Sequence, residues 1–162
     1  MLKLRKNKKG FTLVELIVVI AIMAVLAGTV AGVTVSQLNK NTDKTNLTQA
    51  NKIATSISGL ILESPETYIN IATGSASEGE TNTQTTDTFK ADKLSDLITE
   101  LGKEFTGKTI ASTDPAAGAF KVSLIENNTL ISVTFGAKTR DYKGKGYTIN
   151  TEGVVAPISS NN

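Results

Sequence analysis

The feature that most constrains this chain is a long uncharged apolar run near its amino terminus. From Leu16 to Val35 no residue is ionisable, and Thr29 is the only polar side chain before Thr34. An α-helix rises about 1.5 Å per residue, so a run of about twenty residues reaches roughly 30 Å, the thickness of a bilayer's hydrocarbon core. Basic residues precede the run and are expected to stay on the cytoplasmic side. They are Lys3, Arg5, Lys6, Lys8 and Lys9.

One acid, Glu15, lies just inside the apolar segment. A carboxylate is costly in lipid, so its presence there indicates a functional site rather than a plain membrane anchor. It closes the stretch Gly10-Phe11-Thr12-Leu13-Val14-Glu15, which follows the short basic leader. This stretch resembles the class III signal sequence of type IV prepilins and type II secretion pseudopilins. An ordinary signal peptide differs, because its apolar core is only about 7–15 residues long and its cleavage site follows that core.

The resemblance implies a processing and assembly pathway. A prepilin peptidase is expected to remove residues 1–10 by cutting after Gly10, and then to methylate the new amino terminus at Phe11. In the family, the glutamate at the position of Glu15 meets the Phe11 amine of a neighbouring subunit. Residues 11–35 are therefore expected to span the membrane first and to form the filament core afterwards.

The resemblance also implies the function and the partners. We expect a structural, non-enzymatic subunit of a type IV pilus-like surface filament, of the kind used in adhesion and twitching motility. The alternative is a pseudopilin of a type II secretion-like or DNA-uptake machine; a monomeric membrane-tethered binding protein is the distant third. The expected partners are identical or related subunits, the prepilin peptidase, an inner-membrane assembly platform with its ATPase, and lipid before assembly. The protein is then a single-pass membrane protein that becomes part of an extracellular filament.

Composition fits this reading once the leader is set aside. Removing five of the 17 Lys and Arg residues leaves 12 basic against 15 acidic residues, a net charge of −3 in place of the formal +2. The overall basic balance therefore does not argue for nucleic acid as the main partner. The chain has no cysteine and no histidine, so a disulfide framework and a histidine-based metal site or general base are excluded. We expect no cofactor, no metal and no catalytic residue.

The helix is predicted to continue from residue 11 to Glu63, where Pro65 ends it. Residues 39–49 are polar on all sides and are expected to lie between the filament core and the head. Beyond them, apolar residues recur at spacings of three and four, which predicts one face for a head domain to pack on. These residues are Ala50, Ile53, Ala54, Ile57, Leu60 and Ile61.

Gly28 and Gly32 interrupt the apolar half of the helix, and Gly32 holds a position where pilins commonly have a proline. The pair forms a small-xxx-small motif, which lets helices approach closely in lipid. Two glycines also weaken a helix, by about 1 kcal/mol each relative to alanine. Three interpretations remain open: close helix packing, local unwinding, and glycines that are merely tolerated.

The remaining residues, 64–162, predict a small α+β head. Residues 64–90 are predicted to be an exposed loop, either a surface for contact or O-glycosylation or a solvated connector. A short amphipathic helix is predicted over 91–105, followed by an antiparallel β-meander over 119–157 whose first hairpin turns at Asn127-Asn128. The fold class is therefore α+β and pilin-like: one long helix, part membrane and part amphipathic, packed against a small antiparallel sheet with one short extra helix.

Two further patterns carry functional hypotheses. Residues 102–109 spell a phosphate-binding P-loop, but a helix precedes them and no helix of useful length follows, so the pattern is not expected to bind nucleotide. Four cations cluster at a turn of the predicted sheet, either as a basic surface patch that contacts DNA or acidic polymers or as a turn kept soluble by charge. These cations are Lys138, Arg140, Lys143 and Lys145.

Overall fold

The computed structural model describes residues 10–71 and 86–158 and divides the chain into two compact units, Met1–Leu38 and Asn39–Asn162. One helix, α1, runs from Leu13 to Glu63 and contributes residues to both units. In the first unit, every described residue is exposed, and α1 is helical through Gly28 and Gly32. Local unwinding at these glycines, one of the three interpretations left open by the sequence, is therefore absent from this helix. The predicted leader lies almost wholly outside the described residues, which begin at Gly10.

In the second unit, α1 buries the apolar face that its spacing predicts. Five of the six predicted residues are at most 1% exposed, while Leu60 is half-buried. Because residues at i, i+3 and i+4 share one face of a helix, this row forms a continuous ridge on which the rest of the unit packs. The five are Ala50, Ile53, Ala54, Ile57 and Ile61.

Residues 39–49 were expected to lie between the filament core and the head, but one face of this polar stretch is buried within the second unit. Asp43 is 0% exposed and Asn46 is 6% exposed, so the buried face of α1 begins seven residues before Ala50. The sequence pattern missed this extension because it counted only apolar side chains, whereas the buried carboxylate of Asp43 is compensated by three hydrogen bonds.

In the described part of the chain, two short helices and seven strands follow α1. Helix α3 follows a 3-10 turn at Ala91–Lys93, and together they confirm the predicted short helix, with Leu97 and Leu101 buried on its inner face. A second 3-10 turn occupies Arg140–Tyr142. The elements are α2 (Pro65–Tyr68), β1 (Ile69–Asn70), β2 (Thr88–Phe89), α3 (Leu94–Glu104), β3 (Ile110–Ala111), β4 (Phe120–Ile125), β5 (Leu130–Phe135), β6 (Gly146–Asn150) and β7 (Val155–Pro157).

The main sheet has the order β3-β4-β5-β6-β7, and its last four strands form the predicted antiparallel meander. Alternate residues of β4 point inward, and Phe120 packs against Phe135 of β5 with ring centroids 6.5 Å apart. As expected for a strand that contains proline, β7 with Pro157 lies at the edge. The prediction of an α+β fold with one long helix and a small antiparallel sheet is confirmed.

Two details of the sheet differ from the predictions. Strand β3 was not predicted, because a strand of two residues is too short to show an alternating pattern. It pairs with β4 in parallel. The hairpin between β4 and β5 is a four-residue loop, since Ile125 pairs with Leu130. Asn127 and Asn128 adopt positive φ angles of 55° and 66°, as expected. Glu126 also has a positive φ angle, whereas the predicted two-residue turn would contain only Asn127 and Asn128.

The predicted exposed loop over 64–90 is also wrong at both of its ends. Helix α2 and strand β1 occupy residues 65–70, and β1 pairs with β2 so that Ile69 and Phe89 face each other in the core. These two apolar side chains anchor the segment because their burial removes apolar surface from water. Residues 72–85 belong to the polar stretch that was interpreted either as a surface for contact or O-glycosylation or as a solvated connector. They lie outside the described residues.

The second unit is expected to fold by itself. A fragment that begins at Ser36 keeps all of Asn39–Asn162 and omits the apolar segment, so it should be a soluble monomer with both helix and sheet in its circular dichroism spectrum. Size-exclusion chromatography and thermal unfolding provide the measurement. A fragment that begins at Asn51 serves as the contrast, because it lacks Asp43 and Ala50 and should unfold at a lower temperature. Aggregation of the Ser36 fragment would contradict the division between the two units.

Candidate functional site

The amino-terminal site is built around the first turn of α1. Phe11 is 91% exposed and precedes the helix. The Glu15 carboxylate accepts a hydrogen bond from the backbone N–H of Thr12 at 2.9 Å and from its hydroxyl at 2.8 Å. In return, the Thr12 hydroxyl accepts the backbone N–H of Glu15 at 3.3 Å. This reciprocal arrangement is a capping box, in which the two side chains satisfy backbone donors that a helix start leaves unpaired.

Glu15 therefore has an internal partner before any second subunit is present. From the sequence, Glu15 was expected only to contact a neighbouring subunit, and no role was predicted for Thr12. The signal was present, because a Thr followed three residues later by Glu just before an apolar run is the sequence signature of a capping box. The geometry shows that Thr12, the residue after Phe11, holds the Glu15 carboxylate at the amino-terminal end of the helix.

The surface of α1 from Leu16 to Val35 is almost wholly apolar, and every residue of it is exposed. Within the described residues, α1 is the one helix long and apolar enough to cross a membrane by length and composition. Between Leu16 and Val35 both side-chain hydroxyls are satisfied within the helix, since Thr29 donates to the carbonyl of Leu26 at 3.0 Å and Thr34 donates to that of Val30 at 2.8 Å. A helix with every polar group paired within itself is suited to an apolar surrounding.

Around Gly28 and Gly32 the surface is open. An added Cβ at either glycine meets no atom within 4 Å outside the local helix. Neither glycine is needed for packing inside a single chain, and their predicted role in packing between helices stays a prediction.

Comparison with known families adds to this geometry. Residues 5–31 match the prokaryotic N-terminal methylation motif. The chain carries the signature of type IV pilins and pseudopilins. The match includes the site of the capping box and the first part of the apolar helix, and it ends one residue before Gly32. Searches of curated proteins and of solved structures find no match for the chain.

A second site, in the head, was not anticipated. Asp43 of α1 is fully buried and accepts three hydrogen bonds from the turn that follows β5. The donors are the backbone N–H of Lys138 at 2.9 Å, the backbone N–H of Thr139 at 2.7 Å and the Thr139 hydroxyl at 2.6 Å. These three donors replace most of the hydrogen bonds to water that the carboxylate loses on burial. Asp43 thus fixes the turn to the helix.

The hydrogen bonds also determine the ionisation of Asp43. Burial by itself raises the pKa of a carboxyl, but the hydrogen bonds from Lys138 and Thr139 and the positive charge of Lys138 outweigh it. The pKa of Asp43 therefore lies below its ordinary value, and the side chain is ionised at neutral pH.

Three of the four cations predicted as a surface patch line one open groove beside this turn. Lys138, Arg140 and Lys143 are exposed on the same wall, and Lys121 from β4 faces the groove as well. The fourth predicted cation, Lys145, does not line the groove; its ammonium lies 5.0 Å from the centre of the Tyr142 ring.

The P-loop look-alike has the wrong surroundings for a phosphate site. Residues 102–104 belong to the end of α3, and the pattern runs through a turn to β3, so a helix stands where a buried strand is required. The glycine-rich loop does not lead into a helix N-terminus, which is what supplies N–H groups to a phosphate. The expectation that this segment does not form a nucleotide site agrees with the order of elements.

Proposed function

We propose that this protein is a structural subunit of a type IV pilus-like surface filament. It is made as a membrane prepilin, cleaved after Gly10, N-methylated at Phe11 and polymerised through α1. The observation that carries the proposal is the methylation motif over residues 5–31 joined to a helix whose apolar surface is exposed from Leu16 to Val35. An apolar surface of this extent requires lipid or other copies of the helix, because water solvates it poorly.

The two environments follow one another in the proposed pathway. Before processing, the leader's cations hold the amino terminus at the cytoplasmic face, and the apolar segment lies in lipid. Cleavage removes all five cations and leaves a single amine at Phe11, the residue that precedes Thr12 of the capping box. In the filament, the Phe11 amine of a neighbour meets Glu15, and the pair sets the axial stagger between subunits. The partners in this pathway are the peptidase, the assembly platform and its ATPase.

A pseudopilin of a secretion or DNA-uptake machine is the second candidate, because the same methylation motif is the signature of both groups. The two differ in the product that is assembled. A long fibre on the cell surface supports the pilus subunit, whereas a short filament required for secretion or transformation supports the pseudopilin. Proteins with this motif are structural, and we assign no catalytic residue to this chain.

Processing tests the proposal directly. Protein purified from its native host should lack residues 1–10 and carry one added methyl group, on the Phe11 nitrogen. A Gly10→Val variant is the control, since a branched side chain at the cleavage position should leave the leader attached. Intact-mass and amino-terminal peptide analysis provide the measurement. A mature amino terminus beyond Val35 would show that the segment is an ordinary signal sequence and would end the proposal.

A further inference from the structure

The groove beside the Asp43 turn has three sides formed by separate parts of the head. Its floor is the end of β5 and the residues after it, Thr134–Ala137. One wall carries Asp114 and Pro115, and the opposite wall is the turn from Lys138 to Gly144. Its volume of about 610 Å³ lies within the range of small-molecule sites, roughly 300–1,000 Å³.

Both walls are held by specific contacts. On the first wall, the carbonyl of Gly136 accepts the N–H of Gly118 at 2.9 Å, and the N–H of Gly136 donates to Ala119 at 3.0 Å. The approach is so close that a Cβ on Gly136 would lie 2.0 Å from the carbonyl oxygen of Ala116. The second wall is held by the three hydrogen bonds to Asp43. The groove therefore exists before any ligand arrives, which limits the entropy lost on binding.

The acids near the groove are already engaged. Asp114 lies 2.7 Å from the ammonium of Lys121 and compensates its charge. Asp141, the acid of the turn itself, pairs at 3.2 Å with Lys40 of α1, and neither of these residues lines the groove. The charge of Lys121 is thus neutralised within the groove. Asp141 does not neutralise the other cations of the groove, because it is paired with Lys40.

Lys138 is partly compensated as well, because it interacts electrostatically with the buried Asp43 carboxylate. Arg140 and Lys143 remain. Within residues 10–71 and 86–158, neither has a carboxylate in ion-pair contact. Among the described residues that line the groove, about two positive charges are therefore uncompensated, one of them on a guanidinium, whose planar fork binds oxyanions through two parallel hydrogen bonds.

We propose that this groove binds a phosphate ester of a sugar or polyol. A phosphate monoester carries about −1.5 to −2 charges near neutral pH and matches two uncompensated cations, whereas a single carboxylate supplies only half of that charge. The groove volume leaves space for the sugar or polyol beside the phosphate. This inference goes beyond the filament role, because it assigns the head a ligand.

The test is calorimetric titration of the full chain in detergent micelles. Inorganic phosphate and glycerol 1-phosphate are the monomeric probes, a glycerol-phosphate polymer is the polymeric probe, and glucuronate is the carboxylate control. We expect saturable binding of glycerol 1-phosphate and weaker binding of glucuronate, with affinity that falls as salt is raised. A phosphodiester carries only one charge, so glycerol 1-phosphate should bind more tightly per phosphate than the polymer. Tighter binding of the polymer per phosphate overturns the assignment of a phosphate monoester.

The variants locate the binding. Arg140→Gln with Lys143→Gln should weaken glycerol 1-phosphate at least about tenfold, which is ~1.4 kcal/mol. Lys44→Gln with Lys108→Gln removes the same charge from exposed positions outside the groove and should change the affinity less than about twofold. Equal loss in both pairs, or no saturable binding by the wild-type chain, overturns the proposal. Tighter binding of duplex DNA than of the glycerol-phosphate polymer, or of glucuronate than of glycerol 1-phosphate, also overturns the assigned ligand.

Discussion

Glu15→Ala is expected to be processed normally, to accumulate in the membrane and to yield at least about tenfold less surface filament than the wild-type chain. In the proposed filament, other copies of α1 exclude water from Glu15, and the Phe11 amine of a neighbour is its partner. Alanine removes the acid and leaves that amine buried and unpaired, and breaking one side of an interior charge pair is strongly destabilising. Cleavage depends mainly on Gly10 and its flanks, so it should survive. The measurement is a western blot of sheared surface fractions against membrane fractions.

Because Glu15 also closes the capping box, a second variant is needed to separate its two roles. Thr12→Val removes the hydroxyl that bonds the Glu15 carboxylate but keeps the carboxylate itself. If the subunit contact carries assembly, Thr12→Val should assemble far better than Glu15→Ala. Equal failure of the two would show that capping of the helix start, and not pairing with Phe11, is what assembly needs. Glu15→Gln should be only slightly better than alanine, since an amide keeps the shape without the charge.

Asp43→Ala is expected to destabilise the head by about 3–5 kcal/mol, because two backbone N–H groups and a hydroxyl of the following turn lose their acceptor in a part-buried site. The melting temperature should fall by roughly 10–20 °C. Asp43→Asn keeps one acceptor oxygen and should lose about half as much. Thermal unfolding followed by tyrosine fluorescence measures the change, since the chain contains no tryptophan.

The matched control for Asp43 is Asp141→Asn. Asp141 also joins the turn to α1, but through an exposed ion pair with Lys40 at 3.2 Å. Exposed pairs of this kind contribute roughly 0–1 kcal/mol, so the melting temperature should hardly change. A similar loss from Asp43→Ala and Asp141→Asn would contradict the claim that burial and hydrogen bonding make Asp43 the main connection.

The same carboxylate predicts a dependence on pH. The pKa of Asp43 is lower in the folded chain than the ordinary aspartate value of about 3.9 that applies when the chain is unfolded. The unfolded state therefore takes up the proton first as the pH falls. The stabilisation is present above the unfolded pKa, at about pH 4, and is lost progressively as the pH falls through the lower pKa of the folded chain. Melting temperatures between neutral pH and about pH 3 should fall more steeply for the wild-type chain than for Asp43→Asn. Parallel curves would show that Asp43 does not titrate in this way.

The amino-terminal site could be read from the sequence because everything it needs is local. Glu15 interacts with Thr12 three residues away, and the apolar segment is a continuous run that needs no partner to be recognised. The amphipathic face that begins at Ala50 and the alternating strands β4 and β5 were predictable for the same reason. Each has a period that one element displays by itself.

The sequence by itself thus determined the apolar segment that is long enough to cross a membrane, the N-terminal methylation motif and the α+β class, since charge, hydropathy and period act over a few residues. Only the tertiary structure decided that Asp43 is buried, because its partners Lys138 and Thr139 lie 95 and 96 residues away. The parallel pairing of β3 and the groove beside the Asp43 turn have the same origin. They depend on which faces meet when the chain packs, and a pairing between distant segments leaves no repeat in the local sequence that predicts it.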